Sequence, residues 1–139
     1  MPDSEVVRLE IPSSPKYVAV ARKALEAIAV NIPLTEQQIE DLKLAVGEAC
    51  ANAVKYSAPG TGSVCLWYRF RPGCLQIEIR NKSESFDGKN RDHAKPSMEG
   101  LPIGGLGLYV IEQCVDNLEI RREDGETILT MTKQLSGAA

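Results

Sequence analysis

The hydrophobic positions of this chain change rhythm several times. "VVRLEI" (6–11) alternates loosely and is short, which predicts a first strand. "SSP" follows, with Ser14 placed to cap a helix and Pro15 at its first position, where the missing N–H is not needed. From there Tyr17, Val18, Ala21, Ala24, Leu25, Ile28 and Ile32 recur at helical spacing, predicting one helix that Pro33 stops. "TEQQ" (35–38) reads as a capping box, with Thr35 as cap and Gln38 three residues on. It opens a second helix running to about Tyr56, with Ile39, Leu42, Val46, Ala49, Cys50 and Ala53 as its core stripe.

"SAPGTG" (57–62) breaks that helix. "SVCLWYRF" (63–70) and "CLQIEIR" (74–80), joined by "RPG", predict a hairpin. Trp67 and Tyr68 fall on opposite faces of its first strand, one expected in the core and the other on an exposed face. Residues 82–104 are polar, rich in Gly and Pro, and without period; a loop this long in a compact domain is usually functional or mobile. "GLGLYVIEQCV" (105–115) returns to helical spacing through Leu108, Ile111 and Val115. "NLEIRRE" and "ETILTMTKQL" are two strands around "DG", a hairpin turn signal, and "SGAA" is expected to fray. The order β-α-α-β-β-loop-α-β-β predicts an α/β sandwich (α+β): one mixed, mostly antiparallel five-stranded sheet with three helices on one face, a single domain over 1–139.

Composition narrows the function more than the fold. The 139 residues, 43% hydrophobic and 25% charged, suit one domain with one core. A net charge of −3 and no Lys/Arg cluster beyond "RR" at 121–122 argue against direct nucleic-acid binding. No apolar run approaches the ~18 residues of a membrane span, and "MPDSEVVRLE" lacks the basic and apolar regions of a secretory signal. A cytoplasmic protein that does not bind membranes is the expectation. Cys50, Cys65, Cys74 and Cys114 show no C-x-x-C spacing, and His93 is the single histidine, which argues against zinc. Cys50 and Cys114 fall on apolar helix faces and read as reduced core cysteines. His93 reads as a solvated loop residue.

Two features can carry chemistry. On a wheel at 100° per residue, Asp41, Ala45, Glu48, Asn52 and Lys55 share one line of the second helix, away from Val46 and Cys50. An Asn oxygen can ligate Mg²⁺, and a Glu one turn away can hold a water or accept a proton. The simpler alternative is a solvated helix face. "GGLGLYVI" (104–111) places Gly104, Gly105 and Gly107 where a helix starts; glycines admit close backbone approach, and unpaired N–H groups there attract phosphate. It lacks the G-K-[ST] of a P-loop, and no strand leads into it as a dinucleotide fingerprint requires. The simpler alternative is a hinge and helix start.

Taken together and in order, "LAVGEACANAVKYS", the long loop, "GGLGLYVIEQCVDNLEI" and "GETILTMTKQL" resemble the ATP-binding domain shared by histidine kinases, DNA gyrase and mismatch-repair ATPases. Within that superfamily the chain resembles the bacterial anti-sigma factor serine/threonine kinases over nearly its whole length. The resemblance implies that Glu48 is the general base and that Asn52 holds the Mg²⁺ bridging the ATP phosphates. It also implies that Gly105, Leu106 and Gly107 close around those phosphates, that 82–104 is the ATP lid, and that Thr127 helps hold the adenine. One box departs from the pattern: in "RNKSESFD", Asn81 stands where the family has the Asp that bonds the adenine amino group, and Ser83 where it has Gly. Weaker nucleotide binding is expected, and Asn81→Asp is expected to tighten it.

The function implied is an anti-sigma factor with ATP-dependent serine/threonine kinase activity. It binds a sigma factor and phosphorylates an anti-anti-sigma partner, with homodimers possible for such proteins. The alternatives are a non-catalytic protein-binding module with a degenerate nucleotide pocket, or a domain acting with a phosphatase or sensor protein.

Overall fold

The computed structural model describes residues 5–57, 62–82 and 105–135. Strand β1 (Glu5–Pro12) leads through a 3-10 turn (Pro15–Tyr17) into α1 (Val18–Ala29) and α2 (Glu36–Lys55). The hairpin β2 (Ser63–Arg71) and β3 (Cys74–Lys82) follows, then α3 (Gly105–Cys114) and the hairpin β4 (Asn117–Glu123) and β5 (Glu126–Gln134). The predicted lid, apart from Lys82, lies outside the described residues, and so do Ser83 and His93.

The sheet order is β1-β2-β3-β5-β4, and every ladder in it is antiparallel. No parallel pair is present among the described strands, so the expected mixture reduces to one antiparallel sheet. β2–β3 and β4–β5 pair as hairpins, β1 pairs with β2 across the α1–α2 connection, and α3 with β4 lets β5 return antiparallel beside β3. At the tip of the last hairpin, Asp124 (φ 51°) and Gly125 (φ 80°) are both left-handed. A two-residue turn of that kind matches the twist of the strands it joins, and "DG" is a sequence that tolerates it.

The helices cover one face. Leu66, Tyr68, Ile77, Ile79, Leu129 and Met131 point from the sheet into a core shared with Leu25 of α1, Leu42 and Val46 of α2, and Ile111 of α3. Each such side chain contributes roughly 1.5–3 kcal/mol by leaving water. Tyr68 is buried here, and its hydroxyl donates to the Ala21 carbonyl at 3.0 Å. Trp67 faces the other way, lying between the guanidiniums of Arg8 and Arg80, each 5.2 Å from the ring centroid. Cys50 and Cys114 are buried, and burial pushes the Cys50 thiol up to about 12.

The capping box forms as read: Thr35 Oγ1 accepts from the Gln38 N–H at 3.0 Å, and Gln38 Oε1 accepts from the Thr35 N–H at 2.8 Å. The first helix is shorter than predicted at both ends. Ser14 is extended and its hydroxyl makes no cap bond, so Pro15 opens a 3-10 turn and not α1. At the far end, the N–H groups of Asn31 and Ile32 bond the carbonyls of Ile28 and Ala29, three residues back, and α1 stops at Ala29. Pro33 disfavours helical backbone at Ile32, which accounts for the early exit.

Candidate functional site

Helix α2 is the centre of the site, packed between α1 and α3. The middle of its Asp41-to-Lys55 line is not a solvated face, although Lys55 at the end is exposed. Ala45 is fully buried, and Glu48 and Asn52 are half-buried against the start of α3. The amide nitrogen of Asn52 donates to the Glu48 backbone carbonyl at 3.1 Å, which fixes the two residues as one unit on successive turns.

The contact with α3 is tight. A Cβ placed on Gly107 would lie 2.7 Å from Asn52 Nδ2 and 3.2 Å from Glu48 Oε1. Real Cβ atoms do not sit at the shorter distance, so only a glycine lets the first turn of α3 approach the pair. Gly105 opens that helix, and Leu106 is 77% exposed. The first-turn N–H groups have no partner within their own helix, which gives this end a partial positive charge beside the Glu48 carboxylate. The sequence therefore brings an acid, an amide and an anion-attracting helix start together from positions about sixty residues apart. A bare backbone cradle of this kind fits a phosphate chain, and the neighbouring amide fits its hydrated cation.

Glu48 is also reachable from the other flank of α2. There a groove of about 340 Å³ runs between α1 and α2, lined by Pro15, Val18, Arg22, Leu44, Gly47 and Glu48. The Arg22 side chain lies across Gly47, where an added Cβ would meet its Nη1 at 3.1 Å.

Asn81 and Thr127 are far apart in the chain but face each other directly in the β3–β5 register. Both are buried, at 6% and 4% exposure, on the helix side of the sheet. Asn81 Nδ2 donates to the Ala53 carbonyl at 3.1 Å, which ties the strand end to the residue after Asn52. Thr127 Oγ1 accepts from Arg122 Nη1 at 3.2 Å. Arg122 was not among the residues picked out from sequence. Its signal is there to be found: Leu118, Ile120 and Arg122 alternate toward the core, opposite Met131, Leu129 and Thr127, so the last of the three is a charge in an inward position. Reading "RR" only as a pair of charges hid it.

An antiparallel sheet under three helices, with a polar pair on the central helix meeting a glycine-rich helix start, is the architecture of an ATPase domain. The chain belongs to the histidine kinase-like ATPase domain family, whose model matches residues 11–133. Within the family it is similar to serine-protein kinase RsbW: 31% identical to that of Bacillus subtilis (strain 168), covering 97% of this chain and 89% of the relative. The Bacillus pumilus (strain SAFR-032) RsbW is 32% identical, with 95% and 87% covered. Among solved structures, the RsbU and RsbW domains of a Mycobacterium tuberculosis protein superpose with a TM-score of 0.71 at 17% identity. That likeness covers 94% of this chain, which spans about a third of the other (32%), and it shows the shared fold. Among the described residues no helix is long and apolar enough to cross a membrane.

Proposed function

We propose that the protein is an ATP-dependent serine/threonine protein kinase that acts as an anti-sigma factor. It holds a sigma factor and phosphorylates an anti-anti-sigma partner on Ser or Thr. The observation that carries this reading is the meeting of Glu48 and Asn52 with Gly107, whose missing side chain leaves room for nothing larger than backbone. Similarity to RsbW kinases over almost the whole chain supports it.

In this reading the N–H groups at the start of α3, from Gly105, Leu106 and Gly107, cradle the ATP phosphates, and Asn81 and Thr127 receive the base. The Asn52 amide nitrogen donates to the Glu48 carbonyl, so its oxygen is the atom that would ligate Mg²⁺. Mg²⁺ takes oxygen ligands, keeps several waters and neutralises charge on the phosphates, so one protein ligand suffices. Glu48 accepts the proton of the attacking hydroxyl as its oxygen bonds the γ-phosphorus and ADP leaves with the bridging oxygen. Ser83, next to Asn81's strand end, belongs to the same pocket by its place in the sequence. The protein works in the cytoplasm as one domain over 1–139 and requires neither nucleic acid nor membrane.

The test is transfer of radiolabelled γ-phosphate from Mg-ATP to a purified anti-anti-sigma protein from the same cell. Label on a Ser or Thr of that protein is the expected result. A stable complex with the partner and no label contradicts the kinase assignment and leaves a protein-binding module of the same fold.

A further inference from the structure

We infer that the free edge of β1 is a docking edge for the β1 of a second copy of this chain, with Arg8 of each copy opposite Glu10 of the other, so that two sheets join into one. The inference does not depend on the nucleotide reading above.

The sheet ends in two edge strands, β1 and β4. An edge strand leaves a row of backbone N–H and C=O groups unpaired, and charged side chains commonly guard it. On β4 the charges answer each other: Arg121 pairs with Glu123 at 3.5 Å. On β1 they do not. Among the described residues neither Arg8 nor Glu10 forms an ion pair, and Arg8 reaches only Cys65 Sγ, at 4.0 Å. Its guanidinium is held over the Trp67 ring, 5.2 Å from the centroid, which presets it for a carboxylate. Beside it Val6 and Val7 are 47% and 41% exposed.

The open face of the sheet, by contrast, covers itself. Trp67 lies between two guanidiniums, and Glu78 is buried between Arg69 and Arg80. Ile128, opposite Arg80 and Arg121, is buried as well. The unmet groups are on the edge.

The backbone decides how a partner strand can lie there. Ser13 N–H donates to the Gly62 carbonyl at 2.8 Å, one step beyond the pairing of Pro12 with Ser63. Bonded and non-bonded pairs alternate along an antiparallel ladder. Ile11, Leu9 and Val7 therefore also turn their N–H and C=O toward β2, while Glu10, Arg8 and Val6 turn theirs outward. Pro12 takes the next outward position, where its missing N–H leaves nothing unpaired. A second β1, antiparallel about a twofold axis, must set outward residues opposite outward residues. Centred on Arg8, it places guanidinium against guanidinium; centred on Glu10, carboxylate against carboxylate. Centred on Val7, it leaves Arg8 opposite Val6. Centred on Leu9, it sets Arg8 opposite the partner's Glu10 on both sides of the axis, with Leu9 on Leu9 and Val7 on Ile11 toward the helices. That register alone satisfies the charged and the apolar positions together.

Analytical ultracentrifugation of the full chain tests this on the wild type, Arg8→Glu, Glu10→Arg and the double exchange, with thermal melting as a check on folding. The wild type is expected to dimerise on the order of 10–100 µM, the weak range of an interface made by one strand from each copy. Each single reversal sets like charges opposite on both sides of the axis and is expected to raise the dissociation constant at least about tenfold. An equimolar mixture of the two single variants is expected to dimerise again, because both carboxylates of one chain then meet both guanidiniums of the other. The double exchange is expected to dimerise within about threefold of wild type. If Arg8→Glu, which gives up the Trp67 stack, fails to fold, Glu10→Arg decides. A wild type that stays monomeric over that range, a folded Glu10→Arg that dimerises as wild type does, or folded single variants that stay apart when mixed overturns the inference.

Discussion

Gly107→Ala folds and binds Mg-ATP at least about tenfold more weakly than the wild type. Two effects on stability oppose each other. Ala favours helix over Gly by roughly 1 kcal/mol, while forcing a methyl into a filled space costs roughly 1–3 kcal/mol. The net loss is small enough for the domain to survive. The new Cβ lies 2.7 Å from Asn52 Nδ2, so the Asn52 amide must swing out, breaking its bond to the Glu48 carbonyl. Glu48 Oε1, at 3.2 Å, must give way as well. The damage falls on the two side chains that the proposed function assigns to metal and base. A melting curve within a few degrees of wild type, together with the weakened titration, is the expected pattern. A melting curve and a titration both unchanged would show that the start of α3 does not press on the pair.

Glu48→Gln keeps size and shape and removes the base. Phosphoryl transfer to the anti-anti-sigma partner is expected to slow by about 10²–10⁴-fold, the usual contribution of a positioned general base. Mg-ATP binding is expected to change little, because the proposed function assigns the phosphates to backbone and the cation to Asn52. Single-turnover transfer measured beside the ATP titration separates the two. Transfer at the wild-type rate would assign Glu48 a structural role under α3, and loss of ATP binding in parallel would make it a binding residue.

Much of the fold was legible because local chemistry and global packing agree. The capping box before α2, the "DG" turn and the alternation in β2 and β3 each had a local cause that the structure keeps. The end of α1 was not legible from its apolar stripe: Ile28 and Ile32 both pack on the core, yet the chain between them has already left the helix. Periodicity reports which side chains are buried, while the exit is set by backbone limits before Pro33. The site divides the same way. Glu48 and Asn52 could be placed on one helix face, but whether that face meets water depends on α3, and a single helix does not state it. Asn81 could be placed at the end of β3, but the Ala53 carbonyl that its amide bonds, and the Thr127 opposite it, come from elements far apart in the chain and are not visible in the sequence around it.

The central claim is that Glu48, Asn52 and the start of α3 form a Mg-ATP site. Isothermal titration of the full chain with Mg-ATP, on the wild type and on Asn52→Ala, tests it most directly. The account predicts wild-type binding on the order of micromolar, about −8 kcal/mol, and a loss of at least about tenfold in Asn52→Ala. No heat from either protein, or equal affinity in both, would contradict it.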